Sequence, residues 1–322
     1  RMPPIRSKLI ESIRSVLYEN ADERKKFLNR VGHRIYDGWL REKKHEWIRI
    51  SFLGASRQVG RTCFLLQTPE SRIMIDCGID PGEEGPESYP FLDAPEFNIN
   101  ELDAVVVTHS HLDHPGIIPY LFKFGYTGPV YCTIPTRDIM ALLQLDMIKI
   151  ARSEGNEPLY SSDEIRQMVL HTICLEYDEV SDITPDVRLT LYNAGHMLGS
   201  SIVHFNIGNG LHNFAYTGDL KYAHTNVLEP GNTQFPRLET LMIESTYGGK
   251  DNVMMEEEAD NYMIDVIKIT FERGGKVLMP VLGSGRAQEV MIIMERLMRE
   301  KKIPEAPIYL DAEFLMGPEA AH

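Results

Sequence analysis

The densest chemistry in the sequence lies in Thr108-His109-Ser110-His111-Leu112-Asp113-His114, which follows directly on the apolar run 104–107. Three imidazoles and a carboxylate at the end of a buried strand are costly to keep unless they hold something. Imidazole nitrogen and carboxylate oxygen are good ligands for zinc. Two histidines one residue apart can converge on one ion from a loop, and Asp113 and His114 just beyond can reach a second. A solvated polar loop does not account for this density of ligands. A two-ion site needs further donors from distant sequence, and two segments ending in Gly-His and Gly-Asp supply candidates: Asn193-Ala194-Gly195-His196 and Tyr216-Thr217-Gly218-Asp219. Each is weak alone, since a histidine beside glycine is commonly a loop residue and Gly-Asp commonly marks a turn.

These residues must be carried by elements, and the apolar pattern supplies them. Short strands are expected over 48–54, 62–68 and 72–77, as consecutive antiparallel hairpins. Runs 104–108 and 129–133 suit fully buried strands, and 135–151 reads as a helix. Four more strands are expected over 187–193, 201–207, 213–216 and 240–243, so that His196 and Asp219 fall just beyond strand ends. After Gly248-Gly249 the rhythm becomes helix 257–272, strand 276–282, helix 286–300 and strand 307–310, the signature of a parallel α/β unit. Upstream, Ile5, Leu9, Ile13, Val16 and Leu17 share one face of a helix expected from Pro4 to about Gly32. It is read either as an amphipathic cover for the next domain or as an RNA-contacting arm.

Composition limits the partners. The formal net charge is −14, which argues against a simple nucleic-acid binder. Its distribution is uneven: residues 1–49 carry 13 Lys and Arg against 7 Asp and Glu, a net of +6, leaving 20 against 40, or −20, for the rest. Bound divalent metal would offset part of that acidity. No run of eighteen or more apolar residues and no signal-peptide pattern is present, so the expectation is a soluble, cytoplasmic protein without membrane contact. Cys63, Cys77, Cys132 and Cys174 form no CxxC pair and read as structural thiols. His33, His45, His171, His204, His212 and His224 read as ordinary surface or packed histidines. Gly283-Ser284-Gly285 could offer backbone N–H groups to a phosphate at the start of the helix beginning at Arg286, or could be a plain connection; Arg286 is the candidate RNA contact.

Taken together, these motifs resemble the metallo-β-lactamase superfamily. Asp76 in Met74-Ile75-Asp76-Cys77-Gly78 matches its first motif, His109 to His114 the second, and His196 and Asp219 the third and fourth. Ile243-Glu244-Ser245-Thr246-Tyr247-Gly248 resembles motif A of the β-CASP nucleases, and Val281 to Glu289 resembles the glycine-arginine turn of their inserted domain. The likeness is greatest to the archaeal branch related to the cleavage and polyadenylation specificity factor endonuclease, transcription-terminating ribonucleases with N-terminal KH domains.

The resemblance implies an αββα sandwich with the beginning of an inserted β-CASP α/β domain. It divides the chain into a basic helical linker at 1–46, the first part of the lactamase domain at 47–249, a partial β-CASP domain at 250–311, and a non-matching tail at 312–322. It implies two Zn2+ ions, the first held by His109, His111 and His196, the second by Asp113 and His114, with Asp219 bridging. Asp76 and Asp113 would serve catalysis, Asp76 by orienting a ligand or the hydroxide, and Glu244 would support a leaving-group acid. The implied activity is hydrolysis of RNA phosphodiester bonds, endonucleolytic with 5′ to 3′ exonuclease action, leaving 5′-phosphate and 3′-hydroxyl ends. It would serve RNA 3′-end formation and transcription termination, with RNA polymerase and elongation factors as partners and a homodimer in the full-length family.

Two family histidines, in motifs B and C, find no counterpart, and His322 does not replace them. The second zinc site is therefore expected to be incomplete, the chain to be a fragment, and its nuclease activity reduced. Two other readings share the same ligands: a small-molecule hydrolase acting on a thioester or lactone, and a catalytically silent RNA-binding scaffold.

Overall fold

The computed structural model describes residues 8–39, 46–250, 256–283 and 285–310. Two amphipathic helices open it, α1 (Lys8–Glu19) and α2 (Ala21–Trp39). The single helix expected to about Gly32 is broken at Asn20, whose amide nitrogen donates to Val16 O (2.8 Å) and whose carbonyl oxygen accepts from Arg24 N (3.0 Å). Both helices belong to the main body. Ile10 and Ile13 are buried in the largest core cluster. Arg14 Nε donates to the buried Asp138 (3.0 Å), and Arg24 donates to Leu170 O (2.6 Å) and Thr172 O (2.8 Å).

Strands β1 (Arg49–Phe52), β2 (Phe64–Gln67) and β3 (Arg72–Ile75) pair antiparallel as the hairpin pattern predicts. The chain then crosses over repeatedly through β4 (Ala104–Val106), helix α3 (Ile118–Lys123), β5 (Val130–Cys132), helices α4 (Ile134–Ser153) and α5 (Ser162–His171), and β6 (Thr172–Cys174). The result is a six-stranded sheet in the order β1-β2-β3-β4-β5-β6, parallel from β3 to β6. Helix α5 starts at a Ser161–Glu164 capping box, which satisfies two otherwise orphaned N–H groups.

A second sheet has the order β11-β10-β9-β8-β7, built from β7 (Val180–Thr184), β8 (Val187–Asn193), β9 (Ser201–Ile207), β10 (His212–Tyr216) and β11 (Thr240–Met242). It is antiparallel except for the parallel pair β10–β11. The strands alternate as half-buried strands must. Phe64, Leu66, Ile73, Ile75 and Val106 face Val187, Leu189, Val203, Phe205 and Phe214 between the sheets, while Leu65, Met74 and Val105 face the helices. On the far side of the second sheet, Phe235 and Leu238 of an irregular segment pack over Ala194, Ile202 and Ala215. Among the described residues no helix is long and apolar enough to cross a membrane.

Helices α6 (Glu256–Glu272) and α7 (Arg286–Arg299) form a small separate core around Ile264, Ile267, Leu297 and Ile303. The strands expected at 276–282 and 307–310 are not formed. Val277 and Met279 pack on the α6–α7 core while Leu278 is 90% exposed and Tyr309 87% exposed. The first segment has the two-residue alternation of a strand but no ladder partner among the described residues, and extended backbone becomes a strand only when its N–H and C=O groups pair. Residues 251–255, just past the expected boundary near 250, and the tail at 312–322, His322 included, lie outside the described residues, as do His45 and Ser284.

Candidate metal centre

The candidate ligands gather because the strands that end in them run the same way. β3, β4 and β5 are parallel and close on Asp76, on the Thr108–His114 loop and on Thr133 at one edge of the sheet. In the second sheet β8 and β10 both lie antiparallel to β9, so the loops bearing His196 and Asp219 leave from the same edge. The two edges are stitched together where Ser201 N (2.8 Å) and Ser201 Oγ (3.0 Å) donate to Thr108 O. Close backbone approach makes glycine necessary at two points. A Cβ on Gly78 would lie 1.7 Å from Asp113 O, and Gly218, at φ +54°, would meet the Thr108 side chain at 2.8 Å.

His109, His111, His196 and Asp219 each offer a ligand atom, and these atoms lie within 4.8 Å of one another. The Asp219 carboxylate straddles the site. One oxygen, Oδ2, faces His196 Nε2 at 3.5 Å and His109 Nε2 at 3.9 Å, while Oδ1 faces His114 Nε2 at 3.4 Å. On that second side Asp113 Oδ2 lies 3.7 Å from His114 Nε2. All six expected ligands therefore come together, four around one point and three around another, with Asp219 common to both.

Asp76 is fully buried behind His114. Its carboxylate accepts from Thr108 N (2.8 Å), Thr108 Oγ1 (2.8 Å) and His114 Nδ1 (2.7 Å). A proton held on Nδ1 leaves Nε2 as the ring atom that faces Asp113 and Asp219, the usual outer arrangement of a metal-binding histidine. Asp76 adopts φ +57°, a left-handed conformation that Asp tolerates better than most residues.

The electrostatics favour a cation. Burial pushes the His109 imidazole well below its usual range, and His114, His111 and His196 push the same way. His196 is lowered to about 4, chiefly by burial; Asp219 opposes, while His111, His114 and Arg286 add to the fall. For His114 burial also works downward, but the Asp76 and Asp219 carboxylates outweigh it and hold the ring well above its usual value. Asp219 is lowered to about 2 against the effect of burial, mainly by His114 and then by His196 and His111.

His109 Nε2 is buried with no hydrogen-bond partner. A buried polar atom left that way costs about 1–3 kcal/mol, a cost that a bound cation removes. Neutral imidazoles at His109 and His196 beside an ionised carboxylate form the donor set that zinc takes, so the residues present fit a metal.

Other candidates lie apart from this cluster. The Glu244 carboxylate accepts Thr246 N (2.9 Å), and its own N–H donates to Thr217 Oγ1 (3.2 Å). Arg286, exposed at the start of α7, is near enough for its charge to act on His196. The neighbouring Gly285 has the position of a Cβ 3.5 Å from Met197 Cβ.

The described histidines read as ordinary have ordinary surroundings. His171 packs on Phe27 and Phe122, His204 stacks on Phe235 and bonds Arg237 O, His212 bonds Thr240, and His224 is exposed beside Glu229.

Sequence reasoning missed Thr108, Ser200 and Ser201 as supports. Ser200 Oγ accepts His196 N (3.2 Å) and Met197 N (3.1 Å), fixing the His196 loop. Thr108 stands directly before the first ligand, a signal that could have been used. Nothing marks Ser200 or Ser201 apart from other small polar residues at a strand start.

The sequence profile of the metallo-β-lactamase superfamily domain matches residues 65–245. The chain is 53% identical over 312 residues, 97% of its length and 49% of the relative's, to transcription termination factor FttA of Methanocaldococcus jannaschii. It is 51% identical over 319 residues, with 97% and 49% covered, to the protein of the same name from Pyrococcus abyssi. It thus spans about half the length of the curated relatives it matches. Among solved structures, a protein of unknown function from Enterococcus faecalis V583 aligns with TM-score 0.45 and 16% identity over 80% of this chain and 58% of that one. With a family profile covering more than half its residues, the chain belongs to the metallo-β-lactamase superfamily.

Proposed function

We propose that this chain carries the metal centre of a zinc-dependent ribonuclease that hydrolyses RNA phosphodiester bonds in RNA 3′-end formation and transcription termination. The observation that carries the reading is the Asp219 carboxylate, with one oxygen turned to His109 and His196 and the other to His114. With an oxygen turned to each group of histidines, Asp219 would serve both ions. His109, His111 and His196 would hold the first zinc, and Asp113 and His114 the second. When bound, a zinc pair supplies Lewis acidity, making hydroxide available at neutral pH and drawing charge from phosphoryl oxygens.

The chain's own residues do the rest. Asp76 keeps the proton on His114 Nδ1 and so fixes that ring's orientation. Glu244 holds the turn at Thr246 beside the Asp219 strand end, where it would support a leaving-group acid. Arg286, whose charge acts on His196, would meet a phosphate approaching the centre, since guanidinium suits phosphate geometry. RNA as substrate is supported by the relatives' name, transcription termination factor. The proposed partners are RNA polymerase and its elongation factors, with a homodimer as the assembly of the longer protein.

The test is zinc content by mass spectrometry together with cleavage of a 5′-labelled RNA by the full-length protein. Two zinc ions per chain and products with 5′-phosphate and 3′-hydroxyl ends are expected. His111→Ala should lower zinc content and abolish cleavage. Undiminished cleavage by that variant would end the assignment, and turnover of a thioester or lactone without RNA cleavage would replace it with the small-molecule reading.

A further inference from the structure

Of the chain's four cysteines, two stand directly opposite each other on neighbouring strands. Cys132 ends β5, Cys174 ends β6, and they are Cα partners in the parallel ladder. Neighbouring strands lie about 4.8 Å apart, inside the window of roughly 4.4–6.8 Å that a disulfide spans between Cα atoms. Paired positions also point their Cβ atoms to the same face.

The surroundings of the two sulfurs are unequal. Cys132 is fully buried in the core under the helices, whereas Cys174 is half-buried on β6, the edge strand of the sheet. Arg137 Nη1 lies 3.5 Å from Cys174 Sγ, and the same guanidinium donates from Nε to Asp138 Oδ1 (2.7 Å). Arg24, held to Leu170 O and Thr172 O, adds a second cationic group whose charge acts on Cys174. The hydrogen bond from Cys132, and then Arg137 and Arg24, lower the Cys174 thiol against burial and Asp138, while burial drives the Cys132 thiol up. One sulfur is thus a half-buried thiol with cationic neighbours that favour its thiolate, and the other is a protonated thiol beside it, the arrangement that makes a cysteine reactive and gives it a resolving partner.

We propose that Cys132 and Cys174 are a site of reversible oxidation by hydroperoxide, forming a disulfide between β5 and β6. Cys174 Sγ attacks one oxygen of hydrogen peroxide, the O–O bond breaks, and the products are a sulfenic acid at Cys174 and one water. Cys132 Sγ then displaces the hydroxyl group, the S–S bond forms, and a second water leaves with the Cys132 proton. Two thiols lose two electrons, and one peroxide gains them as two waters. The return step takes two electrons and two protons from a dithiol reductant.

The other pair supplies an internal control. Cys63 and Cys77 are both fully buried, and burial, Cys77 and Asp76 all raise the Cys63 thiol. Among the described residues no cation offsets that rise, so this pair should stay reduced.

The test treats the folded chain with hydrogen peroxide, alkylates in denaturant, and maps the cysteine peptides by mass spectrometry. Loss of two of the four thiols is expected, with a single Cys132–Cys174 cross-link that dithiothreitol reverses. Cys174→Ser should give no link and leave Cys132 open to alkylation. Cys132→Ser should carry Cys174 past the sulfenic stage to sulfinic acid. The proposal is overturned if all four thiols survive a peroxide dose that oxidises free glutathione, if the link joins Cys63 to Cys77, or if wild-type Cys174 goes to sulfinic acid unlinked. None of these readouts depends on metal or RNA.

Discussion

Asp76 is the residue whose burial most needs an explanation, because a fully buried carboxylate is expensive unless its lone pairs are used. It has three donors within 2.8 Å, and one of them is a ring nitrogen of His114. Its role is thus exerted through His114, and Asp76→Asn tests it. The amide would place a donor against Thr108 or His114 while keeping the shape and tolerating φ +57°. Removing such an outer partner typically weakens a metal site about 10- to 100-fold, so competition with a chromogenic chelator should show looser zinc in this variant with an unchanged circular dichroism spectrum. Zinc held as tightly as in the parent chain would refute the role.

At this scale the sequence was highly legible. The six candidate ligands were singled out from residue types at strand ends and from the family resemblance, and the fold brings their side chains together. The supports could not be singled out that way: Thr108 and Ser200 act through one hydroxyl each, and a hydroxyl leaves no pattern until the backbone has placed it.

Among the elements, α7 links the two cores. Glu289, in its first turn, is 9% exposed and accepts from Asn226 N (3.0 Å) and Asn226 Nδ2 (2.5 Å), in the loop that follows Asp219. That loop is also held by Lys221 N on Ala194 O (2.9 Å) and by Asn232 N on Asn193 O (2.8 Å), so Glu289 fastens its outer end. Glu289→Gln keeps the accepting oxygen and should leave the loop intact. Glu289→Ala leaves the Asn226 donors without their acceptor, at a cost of about 1–3 kcal/mol. Since each 1.4 kcal/mol is a factor of ten, hydrogen exchange of the 219–232 amides should speed by about tenfold in the alanine variant and little in the glutamine one. Equal exchange in the two variants would show that the contact does not hold the loop.

Element positions were legible where periodicity was long. Strands 187–193 and 201–207 match the expected residues to the last one. The short β6, at the edge, gave too few residues for a pattern, and β7 alternates weakly because its edge position leaves Val180 65% exposed. The break at Asn20 coincides with the polar stretch 19–26, which interrupts the apolar spacing between Leu17 and Phe27.

For the whole molecule the open question was what the basic N-terminal segment does in a chain of net charge −14. A positive arm on an acidic body suggests an RNA contact by charge alone. The packing favours the other reading, a cover for the domain that follows. Arg14, Arg24, Arg30 and Arg34 direct their guanidinium groups at Asp138, at the Leu170 and Thr172 carbonyls, at Thr127 O and at Asp103. Ile10, Ile13 and Phe27 are buried at 2%, 7% and 5% exposure. Lys25 and Lys26 stay exposed. The two readings then separate cleanly. Ile13→Ala empties a core position and should cost about 2–5 kcal/mol, seen as a lower urea midpoint with an unchanged slope. Changing Lys25 and Lys26 together to Gln should leave that midpoint in place. If the segment is a cover, the double variant should also leave RNA affinity and its salt dependence within error of the parent chain. If the segment is an arm, each lost phosphate contact flattens the plot of log affinity against log salt by about 0.7–0.9. A flattening of that size in the double variant, with the fold intact, would return the segment to the RNA-binding surface.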